Sequence, residues 1–163
     1  MRRRPLLCVP LLAVALTTGV LAAPATAAPP SMHGGDFRVM SFEVTGGTSP
    51  GPHDKVNLFT AVSSSQLEGS LEGTSDATLT CVQVVGRTLS CHGTTVFEGD
   101  FEGEAATAVS WIVFRCSYVT NWCSGRSTTR ESTGALAGTR SMTVLEQDLV
   151  TGAGSYTTRL IGG

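Results

Sequence analysis

Alternation of apolar and polar residues is the strongest pattern in the chain. Positions 97, 99, 101 and 103 read Phe, Gly, Phe, Gly, while 98, 100, 102 and 104 are all acidic. A strand sends successive side chains to opposite faces, so this run predicts one apolar, glycine-relieved face and one charged face. The same grammar stands at Leu67-Glu68-Gly69-Ser70-Leu71-Glu72-Gly73, and its core returns as Gly134-Ala135-Leu136-Ala137-Gly138. Glycines on the face of Phe97 and Phe101 leave room where a strongly curved sheet crowds its concave side, so the apolar parity is expected inward and the acids outward. The alternative is that these glycines are turn residues between very short strands.

Further strands are expected at about 37–45, 55–62, 77–85, 88–93, 105–118, 139–147 and 155–161, with turns at 63–65 and 74–76 and a Pro/Gly loop at 46–52. Trp111, Ile112, Val113 and Phe114 put bulk on both faces of 105–118, which predicts a strand bent or bulged near Ser110. Residues 126–131 alternate Arg and Thr and suit a solvated face. Short strands at this spacing predict an all-β, antiparallel fold of about eight strands, closed or nearly closed into a barrel.

Arg2, Arg3 and Arg4 precede an apolar run and the small-residue site Ala25-Thr26-Ala27, so 1–27 reads as a secretory signal peptide. Residues 28–35 are expected to be a flexible lead-in, and 36–163 a single barrel domain. The predicted location is extracellular, with no membrane association after cleavage. Losing the three arginines leaves acids in excess, and Lys55 is the only lysine. That composition excludes nucleic acid, which needs clustered cations facing phosphate.

Four cysteines follow the signal segment. Cys81 and Cys91 are symmetric about Gly86, and Cys116 and Cys123 about Val119-Thr120, so sequential pairing across two hairpins is favoured. A four-cysteine zinc site is the rival, but no close cysteine pair of the zinc-finger kind is present and the expected compartment is oxidising. No metal or other cofactor is therefore expected.

Candidate chemistry is sparse. No strand-to-helix nucleophile elbow is read in the chain, His33 and His53 lie in Pro/Gly-rich stretches, and His92 follows an expected disulfide cysteine. The acids 98, 100, 102 and 104 could hold calcium with Glu68 or Glu72, against the simpler reading of a solvated outer face. Trp111, Phe114, Tyr118 and Trp122 are the candidate ligand-binding residues, lining a cavity mouth, or else they fill the barrel beside Cys116 and Cys123.

The run Phe97-Glu98-Gly99-Asp100-Phe101-Glu102-Gly103-Glu104, followed by Thr133-Gly134-Ala135-Leu136-Ala137-Gly138-Thr139-Arg140, resembles a family of small bacterial barrels, common in actinobacteria and related to the allene oxide cyclase and dirigent-type fold. The resemblance spans about 37–156. It implies an eight-stranded antiparallel barrel with an interior cavity, and plant members of that fold guide cyclisation or radical coupling of apolar substrates. It places no catalytic residue on this chain. The expected function is a non-enzymatic binding module for a small apolar ligand or a protein partner. The alternatives are a cyclase or isomerase acting in the cavity, and a secreted protease inhibitor presenting the loop 117–122.

Overall fold

The computed structural model describes residues 30–47 and 55–161. The expected signal peptide and His53 lie outside them. Eight strands run β1 (Met32–Gly47), β2 (Val56–Gly69), β3 (Leu71–Val84), β4 (Thr88–Phe101), β5 (Glu104–Ser117), β6 (Trp122–Gly134), β7 (Arg140–Asp148) and β8 (Ala153–Ile161). Each pairs antiparallel with its sequence neighbour, and β1 pairs with β8 to close the barrel.

Period-two alternation drives this architecture. Along β4, Leu89, Cys91, Thr95 and Phe97 are buried while Ser90, His92, Val96, Glu98 and Asp100 are exposed. The acids therefore face solvent and the Phe97 parity faces the lumen. Inward glycines let the sheet curl around rings: a Cβ on Gly35 would meet the Tyr156 ring, and one on Gly154 the ring of Phe37.

Several strands are longer than the sequence suggests. The expected turns at 63–65 and 74–76 lie inside β2 and β3, because their hydroxyls bond across strands. Ser63 Oγ donates to the Ser41 carbonyl at 3.0 Å, and Ser75 Oγ lies 2.7 Å from Thr95 Oγ1. The expected lead-in is strand from Met32 onward, since residues 32–38 of β1 form the seam with β8. Gly46 and Gly47 also belong to β1 rather than to a loop.

The Glu-Gly repeats prove to be turn signatures. One spans the β2–β3 turn at Ser70, another the β4–β5 turn at Glu102 and Gly103, and the third the β6–β7 turn. Glu102 and Gly103 have φ of 53° and 86°, the left-handed pair that a tight antiparallel turn requires. All three turns lie at one end of the barrel, where Glu102 N–H donates to the Ser70 carbonyl and Ser70 N–H to that of Gly34. Leu136 is buried there with Phe97, Ala106 and Ala108, with Leu71 and Phe101 packed against them, so this end is plugged.

The opposite end carries both disulfides. Cys81 bridges Cys91 between β3 and β4, and Cys116 bridges Cys123 between β5 and β6, each pair directly opposed in its ladder. Asn121 turns the second hairpin with φ of 53°. Each short covalent loop contributes about 2 to 4 kcal/mol by restricting the unfolded chain. With Leu79 and Leu89 the four sulfurs form a buried cluster.

Candidate ligand chamber

Two chambers lie in series along the barrel axis. The larger, of about 520 Å³, occupies the disulfide end, and the smaller, of about 90 Å³, lies toward the plugged end. Leu67, Ser75, Thr95, Ile112 and Leu145 line both and form the waist between them. An eight-stranded ring is just wide enough to hold one small ligand, and the large chamber falls in the ordinary range for ligand pockets.

Its wall is mostly hydrocarbon: Phe37, Val39, Leu79, Ile112, Phe114 and Leu145 contribute from four strands. Among the described residues no Asp, Glu, His, Lys or Arg lines either chamber. In the smaller one the hydroxyls are tied to one another: Thr143 Oγ1 lies 2.8 Å from Thr158 Oγ1, and Thr129 bonds both Ser110 and Ser141. Of these residues Thr129 belongs to a run that reads as a solvated face, whereas Ser110, Ser141, Thr143 and Thr158 lie in expected strands. Their signal was the alternation of Ser127 with Thr129 and Ser141 with Thr143.

The mouth is set by unequal strand reach. The β1–β8 ladder ends at Arg38 and Ala153, and Val39 N–H donates to the Gly152 carbonyl at 2.9 Å. Beyond Val39, β1 pairs only with β2, through bulges at 39–41 and 44–46. The first bulge turns Phe42 to the chamber side, where it stands 41 % exposed at the rim with Val150, Thr151 and Tyr118. The rim turn is fastened by Asp148, whose Oδ1 accepts from the backbone N–H groups of Val150 and Thr151, both at 2.8 Å, and from Thr151 Oγ1 at 3.1 Å. The Thr151 N–H leads in holding this carboxyl below its ordinary value of 3.8. The charged form is the one the fold stabilises, so the contribution is complete above the ordinary value and is lost as pH falls through the lowered one. An NMR titration is expected to place the Asp148 carboxyl below 3.8, with the amide signals of Val150 and Thr151 shifting in step.

Of the aromatic residues suggested by sequence, Phe114 and Tyr118 line the large chamber and pack against the disulfide cluster. Trp111 and Trp122 do not line it. Trp111 is on the opposite parity of β5, facing solvent beneath the Arg130 guanidinium, which lies 5.2 Å from the ring centroid. The bulge expected near Ser110 is present, but its extra residue is Arg130 on the partner strand β6, which places that cation over the indole. Trp122 starts β6 and is 45 % exposed. The loop 117–122 is a tight turn whose Tyr118 faces the chamber, with Thr120 N–H donating to Ser117 Oγ.

His33 is not in a loop. It lies on β1 at the plugged end, with 14 % of its side chain exposed, Nδ1 donating to Glu102 Oε1 at 2.8 Å and its ring edge against Phe101. His92 faces outward beside Trp111. Among the described residues no three His, Cys, Asp or Glu side chains are grouped to hold a metal ion. No helix among them is long and apolar enough to cross a membrane.

A closed eight-stranded barrel with an uncharged internal chamber is thus the class that fold and site define. No known protein family matches the sequence, and neither does any curated protein.

Proposed function

We propose that this is an exported, non-enzymatic binding module that takes one small apolar molecule into the large chamber. The observation that carries the reading is a space of about 520 Å³ walled by aromatic and aliphatic side chains and opening at a rim. Acid–base catalysis has less support, because the described residues bring no carboxylate, imidazole or amine to that space. Two disulfides suit an oxidising compartment and support export. Kinship with the allene oxide cyclase and dirigent-type barrels belongs to the same proposal, supported by strand number, antiparallel closure and the chamber.

Titration with the neutral fluorophore N-phenyl-1-naphthylamine tests it. Saturable binding of one probe per chain is expected, with a blue-shifted emission and a rise in Tm that grows with probe concentration. A linear, non-saturating signal with no change in Tm would reject the proposal.

A further inference from the structure

The polar groups of the large chamber are not equivalent. Ser63 is committed to the Ser41 carbonyl, Ser75 and Thr95 to each other, and Thr151 to Asp148, while Ser65 and Gln147 line the space without a side-chain partner among the described residues. Tyr118 alone combines a free donor with a ring held in place by a second side chain. Asn57 Nδ2 donates to Gln83 Oε1 at 3.0 Å, which turns the Gln83 amide so that its Nε2 donates to the Tyr118 hydroxyl at 2.9 Å. The phenolic oxygen is the acceptor in that bond, so its own proton is left to donate, and no acceptor for it is present among the described residues. Burying that donor beside an apolar occupant would forfeit its hydration, whereas pairing it with an oxygen recovers the bond.

The rest of the lumen restricts what can bring that oxygen. Among the described residues no cation stands on the lining, so a carboxylate or phosphate held against them would lose water without gaining a counter-charge. With no anion among them, an amine fares equally badly. Resting on the reading of the chamber as a ligand site, we infer that its occupant is an uncharged, mainly hydrocarbon molecule with a carbonyl or ether oxygen, held at the rim by the Tyr118 hydroxyl while the apolar body extends toward the Ile112 and Leu67 waist. Gln83 is then a positioning residue, aiming Tyr118 without touching the ligand.

Three naphthalenes of one shape test this by calorimetry: 2-acetylnaphthalene, 2-ethylnaphthalene and 2-naphthoate. The native protein is expected to bind the ketone about five- to tenfold more tightly than the hydrocarbon, as one hydrogen bond of about 1 kcal/mol implies, and to bind the carboxylate more weakly than either. Tyr118→Phe should remove the preference for the ketone and leave the affinity for 2-ethylnaphthalene unchanged, which also reports an intact chamber. Gln83→Leu should reduce the preference without abolishing it. Equal binding of ketone and hydrocarbon in the native protein, or a ketone preference that survives Tyr118→Phe, overturns the inference while leaving the binding reading in place. Failure of both neutral compounds to bind overturns both.

Discussion

Ala77→Phe is expected to leave the barrel as stable as the native protein, or more so, and to weaken binding of a neutral naphthalene probe at least tenfold. Ala77 lies on β3 opposite Thr95, and both line the large chamber. In a close-packed core, adding a ring there would force neighbours off their rotamers and cost about 1 to 3 kcal/mol. In an empty chamber the ring gains contacts with Leu79 and its neighbours and displaces only what occupies the space. Stability and binding should therefore move independently. Urea denaturation beside a probe titration reads both, and a midpoint falling by more than the equivalent of about 1 kcal/mol would mean that the lumen is filled by its own side chains.

The second large effect is expected at the other end. Gly35→Ala should destabilise the fold by about 3 kcal/mol, seen as a fall in Tm of about 10 °C. A Cβ at Gly35 overlaps the Glu68 carbonyl oxygen and lies 2.7 Å from the Tyr156 hydroxyl. That hydroxyl accepts from Leu71 N–H at 2.8 Å and faces the Leu71 and Glu68 carbonyls at 3.1 and 3.3 Å, clipping the β2–β3 turn onto β8. Burial pushes the Tyr156 phenol above its ordinary 10.0, with the Asp36 charge adding to the shift. Neither neighbour of the new methyl can yield cheaply, since one is backbone and the other is already bonded to a turn. An unchanged Tm would show that the ring of strands is looser than drawn.

Much of this architecture was legible because a strand's parity is rigid. Phe97, Gly99 and Phe101 face inward and Glu98 and Asp100 outward, as alternation requires, and cysteines equidistant from Gly86 or from Val119-Thr120 meet across a hairpin. The same rule contained more than was drawn from it. Cys116 is buried, so Ile112, Phe114 and Tyr118 share its side, while Trp111 takes the other parity, and Trp122, one residue before buried Cys123, faces out as Trp111 does. Hydroxyl runs misled for a physical reason. Ser, Thr and Asp in succession favour turns when solvent is the alternative, but inside a barrel their side chains satisfy each other across strands. Phe114 and Tyr118 pointed to the chamber, but its size had no residue signature. Its volume follows from strand number, stagger and closure, which are properties of the ring rather than of any one segment.

Both covalent bridges join neighbours in sequence, and the join between the first and last strands is held by hydrogen bonds and packing alone. Oxidation of the cysteines can therefore proceed hairpin by hairpin as the polypeptide emerges, but the circle cannot be completed until its final residues arrive. Until then β1 waits with one edge bare, a template for stray pairing, and the lumen does not yet exist.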